Sequence, residues 1–266
     1  MSDLIEGYLG KTEEGRKSRL PAKLDFIQSF TGGFLALFMW AHMLLVSSIL
    51  ISKDFMYTVT KLLEGSFIFE GGNPLLVSLV AAVVFVIFIV HAALGMRKLP
   101  GNFKQYQIIK AHSKSMNHDD TKLWFIQAFT GFVMFFLGSV HLYIIMTNSA
   151  DIGPYESADR IWSEWMWPLY ILLLLAVEFH GTIGLYRLCV KWGWFDGENP
   201  KATRKALKKV KWALTVFFLV LGFASLAAYM KIGMENAKNG TVGQKYAPTA
   251  KVMEFNITNK SVGGIA

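Results

Sequence analysis

Thiols and charge are both scarce in this chain. Of its 266 residues one is cysteine, Cys189, which excludes an internal disulfide and any cysteine-held metal cluster. No Cys-x-x-Cys-His occurs, so a haem here must be bound non-covalently, as b-type haem. Cys189 itself reads as inert packing. Charged residues make up only 17% of the chain against 53% hydrophobic, and the mean hydropathy is positive. A water-soluble domain of this size rarely carries so many uncharged runs. Acid is scarcer still inside those runs, where Glu178 is the one carboxylate placed deep. The net charge of +8 lies in blocks between the apolar runs, so it bears on membrane orientation, and nucleic acid is not an expected partner.

What is present is length of apolar chain. Five runs suffice to cross roughly 30 Å of hydrocarbon: about 24–50, 75–96, 123–147, 163–188 and 211–231. The expected fold is therefore all-α, an integral membrane bundle of five transmembrane helices. Trp162, Trp165 and Trp167 open the fourth run, as an interfacial belt would. The first 22 residues carry Lys11, Arg16, Lys17 and Arg19 and precede a run too long for a signal peptide, so no cleaved targeting segment is expected. With the N-terminus inside, the inner segments hold 19 of the 27 Lys and Arg. The positive-inside rule then puts the N-terminus in the cytoplasm and the C-terminus outside. The expected organisation is a membrane domain over 1–234 and a flexible polar outer tail over 235–266. His112 and His118, in the basic inner loop at 97–122, read as solvated loop residues.

Four other histidines lie inside the apolar runs: His42, His91, His141 and His180. Ionisable side chains are costly in a bilayer and normally mark a cofactor, ion or proton site. At about 1.5 Å of rise per residue, His42 and His141 each stand roughly 28 Å from Lys23 and Lys122, at the inner ends of their helices. His91 and His180 stand only about 9–10 Å from Arg97 and Arg187. That predicts two pairs, His42 with His141 nearer the outside and His91 with His180 nearer the inside. Neutral imidazole is a good axial ligand for haem iron, and two stacked bis-histidine haems are the simplest chemistry for this layout. The alternative for each histidine is a buried polar residue bonded to a neighbouring helix. A metal-ion transporter would more often gather Asp and Glu at one midplane cluster.

The chain also repeats itself. Phe26-Ile27-Gln28-Ser29-Phe30-Thr31-Gly32 opens the first run and Phe125-Ile126-Gln127-Ala128-Phe129-Thr130-Gly131 the third, each followed by its histidine at the same interval. His91 and His180 each have glycine four residues on, Gly95 and Gly184. Glu178 precedes His180 by two residues and so points to another helix face. It is a candidate for proton transfer, or a neutral acid bonded to a backbone carbonyl.

These residues resemble the dihaem cytochrome b subunit of bacterial quinol:fumarate reductases, the five-helix type of the succinate:quinone oxidoreductases. The resemblance runs from Ser18-Arg19-Leu20-Pro21 to about residue 234. It is most specific in Phe67-Ile68-Phe69-Glu70-Gly71-Gly72, Gly138-Ser139-Val140-His141-Leu142-Tyr143, Ser163-Glu164-Trp165-Met166-Trp167-Pro168 and Lys191-Trp192-Gly193-Trp194-Phe195-Asp196. It implies an electron-transferring anchor in the inner membrane of bacteria that respire fumarate anaerobically. Two non-covalent b haems would be ligated by His42 with His141 and His91 with His180. Menaquinol would be oxidised beside the outer haem. The implied partners are an FAD-carrying flavoprotein subunit and an iron–sulfur subunit on the cytoplasmic face, with the fumarate site on the former. The resemblance leaves room for a dimer of such heterotrimers. By position, Glu64 would accept the quinol's proton, and Gln28, Ser29, Trp124 and Lys191 would meet the inner haem's propionates. The same architecture run in reverse as a succinate:quinone reductase, a dihaem anchor of another respiratory complex, and a haem-free transporter or scaffold are the alternatives.

Overall fold

The computed structural model describes residues 18–116 and 118–249; the charged positions Lys11, Arg16 and Lys17, and the tail beyond residue 249, lie outside the described residues. Among the described residues the chain is helical and has no strand. In chain order the helices are α1 (Leu20–Val46), α2 (Lys53–Leu63), α3 (Pro74–Met96), α4 (Phe103–Met116), α5 (Asp119–Thr147), α6 (Pro154–Trp162), α7 (Trp167–Trp192) and α8 (Pro200–Asn239). Five are long and apolar enough to cross a membrane: α1 with the 3₁₀ turn after it (together Leu20–Leu50), α3, α5, α7 and α8. Their outer faces are apolar and open, as at Phe30, Leu37, Val86, Phe129 and Val220. Lipid is the solvent such faces require, since a helix satisfies its own backbone groups.

The spans depart from the apolar runs where polar residues still favour helix. Helix α5 starts at Asp119, because Asp119 and Asp120 suit the positive end of the helix dipole. Helix α7 starts at Trp167, not at 163, because the turn after α6 passes through Trp165 at φ 59. It ends at Gly193, where φ 65 lets Trp194 N–H reach the Cys189 carbonyl (2.9 Å). Helix α8 runs over 40 residues, well past 211–231 at both ends. The segments read as loops contain helices: α2 in 51–74 and α4 in 97–122. His112 is therefore an exposed helical residue, and His118 Nδ1 accepts the Asp120 N–H (3.2 Å). Residues after α8 are not free either, since Gly243 N–H donates to the buried Asp159 carboxylate (2.9 Å).

The chain divides into two compact units. One is made of the described chain up to Met39 together with Val83–Ser139 and Leu175–Phe217. Its core holds Leu123, Ile183 and Tyr186. The other is made of Trp40–Ala82, Val140–Leu174 and the chain from Phe218 on. Its core gathers Ile49, Met56, Ala158, Ile161, Leu226, Tyr229 and Ile232.

Candidate haem and quinol sites

Each unit holds one of the two histidine pairs. In the first, α3 carries His91 and α7 carries His180, with ring centres 6.3 Å apart and planes at 89°. The rings lie against glycines of the other two helices: a Cβ on Gly32 of α1 would fall 2.7 Å from His91 Cε1, and one on Gly131 of α5 would fall 2.7 Å from His180 Cε1. The repeat motif thus supplies, from each copy, the bare backbone against which the other helices' rings pack. It also supplies the bonds that orient them. His180 Nδ1 donates to the Gln127 carbonyl (2.9 Å). Thr31 Oγ1, whose proton goes to the Ile27 carbonyl (2.9 Å), pairs with His91 Nδ1 (3.1 Å). With Nδ1 protonated on both rings, each Nε2 keeps a lone pair, the arrangement of a metal-ligating imidazole.

Around the ends of α1, α3 and α7 in the same unit lies a polar cluster. Lys191 and Lys98 both pair with Asp25, and Lys191 Nζ also donates to Ser29 Oγ (3.0 Å). Gln28 Oε1 is buried without a partner, whereas its repeat counterpart Gln127 accepts from Arg187 Nη1 (2.6 Å). Trp124 is held otherwise, edge-on against Phe125. Glu178 on α7 is fully buried, and neither carboxylate oxygen has a hydrogen-bond partner among the described residues.

In the second unit α1 carries His42 and α5 carries His141, ring centres 6.1 Å apart. His141 Nδ1 is buried without a partner, and its ring stands perpendicular to Tyr170 at 5.6 Å. Glu64 caps α2 and is only 2% exposed. Its Oε2 takes the Lys61 ammonium at 2.7 Å, and a Cβ on Gly72 would lie 2.7 Å from that same oxygen. The backbone there is fixed by glycines at positive φ, Gly65 at 73° and Gly72 at 82°. So the loop acid of the sequence is a buried, ion-paired carboxylate.

The donor sets fit haem. Two imidazoles on one metal, each with a bond of about 2 Å, place their ring centres roughly 6 Å apart, and both pairs have that separation. Among the described residues no three His, Cys, Asp or Glu side chains converge as a bare ion would need. Sequence reasoning gave Thr31 and Thr130 no role, and read Gly32 and Gly131 only as small residues that let a porphyrin or a neighbouring helix come close. Their signal was their place in the repeat, directly after the shared Phe-Ile-Gln-x-Phe stretch.

Comparison with known proteins converges on the same chemistry. Residues 104–221 match the family described as Succinate dehydrogenase/Fumarate reductase transmembrane subunit. The chain is 58% identical over 232 residues to the fumarate reductase cytochrome b subunit of Wolinella succinogenes, covering 87% of this chain and 91% of that one. It is 53% identical over 238 residues to the protein of the same name from Helicobacter pylori, covering 90% and 92%. A succinate dehydrogenase hydrophobic membrane anchor subunit of Archaeoglobus fulgidus is 31% identical over 96 residues, 36% of this chain and 80% of that one. A five-span helical chain with buried imidazole pairs and these relatives belongs to the succinate dehydrogenase/fumarate reductase transmembrane subunit family, on its fumarate reductase cytochrome b branch.

Proposed function

We propose that this chain oxidises menaquinol and conducts its electrons toward fumarate, holding one b haem between His42 and His141 and a second between His91 and His180. The observation that carries the reading is the occurrence of two imidazole pairs with ring centres 6.1 and 6.3 Å apart, one in each unit, which would suit one shared metal each. Each haem supplies a one-electron iron couple, which lets a two-electron quinol serve one-electron iron–sulfur acceptors. The chain's own residues do the rest. His91 and His180 present Nε2 because Thr31 and Gln127 hold Nδ1. Gln28, Ser29, Trp124 and Lys191 receive the propionates of the haem in their unit, where the Lys191 ammonium, already beside Ser29, is the charged donor. Glu64 takes the proton that the quinol hydroxyl releases, at a carboxylate already excluded from bulk water. Glu178, buried and unbonded, hands protons along its span. The N-terminus faces the cytoplasm and the C-terminus the outside. The catalytic partners are a flavoprotein and an iron–sulfur subunit on the cytoplasmic face, in heterotrimers that pair into a dimer.

Reduced-minus-oxidised spectra with pyridine haemochrome quantitation test this directly. About two b haems are expected in the wild type, with a different one lost in His42→Ala and in His91→Ala. A folded but colourless wild type sinks the reading. Glu64→Gln should then cut quinol oxidation by about a hundredfold while fumarate reduction driven by a viologen donor is unchanged.

A further inference from the structure

Beyond Gly240 the chain turns back and lies across α2 and α6. Gly243 N–H donates to Asp159, which Asn236 also holds at 2.8 Å, and Lys245 Nζ reaches the Ala150 carbonyl (3.2 Å). Further on, three donors converge on Asp54: the Tyr246 hydroxyl (2.8 Å), the Thr249 N–H (3.1 Å) and the Thr249 hydroxyl (2.8 Å). The Tyr246 ring also lies against Tyr57 (6.0 Å between centres) and edge-on to Tyr155 (5.1 Å). Asp54 and Tyr57 both belong to α2, whose C-terminal cap is Glu64. Lys61, one turn beyond Tyr57 on the same face, sets its ammonium 5.7 Å from the Tyr57 ring centre and 2.7 Å from Glu64 Oε2. A helix of 11 residues is marginal without tertiary support. Met56 supplies part of that support from the core cluster, Lys53 over the Tyr155 ring supplies another part, and the returning chain adds to both.

We propose that residues 241–249 form a strap that positions Glu64: by fastening α2 at Asp54 and Tyr57, they set where Lys61 holds the Glu64 carboxylate. This rests on Glu64 as the quinol's proton acceptor. Tyr246 and Thr249 are positioning residues that need not touch quinol. No strap residue belongs to the buried core cluster, so the strap can be loosened without dismantling the unit.

The test uses the whole complex with its catalytic subunits. Hydrogen–deuterium exchange across 53–64 and steady-state quinol oxidation are compared with viologen-driven fumarate reduction. Tyr246→Ala should speed exchange through α2 and lower the quinol kcat about tenfold with KM little changed, leaving haem content and the viologen-driven rate at wild-type levels. Tyr246→Phe keeps both ring contacts and should recover most of the rate. Thr249→Ala, which removes one donor and no ring, should move the same way by less. Wild-type α2 exchange and wild-type quinol kcat in Tyr246→Ala overturn the strap. Glu64→Gln at wild-type turnover instead removes the reading of Glu64, a result that does not depend on any strap variant.

Discussion

Single atoms decide the site of His91 and His180. Gly32 and Gly131 have no room for a methyl group, since an added Cβ would meet a histidine ring at 2.7 Å in each case. A ring already tied down at Nδ1 cannot retreat without losing that bond. Gly32→Ala or Gly131→Ala should therefore displace His91 or His180 and lose about half of the haem by haemochrome assay, at a cost of about 1–3 kcal/mol in stability. Gly33→Ala is the control, because its Cβ would meet only Leu188 Cδ2 at an ordinary 3.5 Å. Normal haem in all three variants would dismiss the close-approach account. Asp54 gives a prediction in pH. The bonds from Thr249 and then Tyr246 hold its carboxyl below the usual carboxylate range. A group lowered on docking stabilises the docked strap above the free carboxyl's range, about 4. That contribution disappears as pH falls through the lowered value. A spin label at Ala247→Cys, in a Cys189→Ser background, should be immobile at neutral pH and gain mobility only under acid conditions below about pH 4. Mobility that is the same at both pH values would count against the docking.

At the scale of elements, what the sequence made legible follows its periodicity and what it hid follows long-range contact. The five apolar runs announced the five spanning helices, because a bilayer leaves no alternative backbone pairing. Helix α2 was missed although its apolar residues favour one face, because 11 residues are only about three turns, too short a window for that period to stand out. Helix α4 was hidden by its polarity, having no buried residue at all. The ends of α8 went unseen because lysine, arginine and glutamate propagate helix as well as apolar residues do. Strap contacts such as Tyr246 to Asp54 join residues 192 apart, which no local pattern encodes. The two histidine pairings were legible because the members of each pair share a depth and a repeat context. Glu64 needed the family resemblance, since nothing local shows that Lys61 and Gly72 bury it. Where α6 meets α8, Gly233 has the Ala158 carbonyl oxygen 2.5 Å from any added Cβ. Backbone cannot step aside as a side chain does. Gly233→Ala should lower stability by about 1–3 kcal/mol, read as a drop in thermal midpoint with haem still bound, and an unchanged midpoint would refute the contact.

For the molecule as a whole, charge placement carries the orientation. Single cysteines at Lys104, on α4, and Lys238, near the end of α8, should label from opposite sides of sealed vesicles, Lys104→Cys from the cytoplasmic side. Labelling of both from one side would reverse or break the assigned topology. The length of α8 has a separate meaning. Forty residues make a helix of about 60 Å, roughly twice the hydrocarbon thickness. Its first turns carry Lys201, Arg204, Lys205 and Lys208, and its last carries Lys238. The extra length lies in these basic turns, which must stay in water, so only the stretch between Lys211 and Lys231, about 30 Å long, is there to match lipid. Acyl-chain length, which cells adjust as temperature changes, is therefore a variable this helix meets by tilting or by the reach of its flanking lysines.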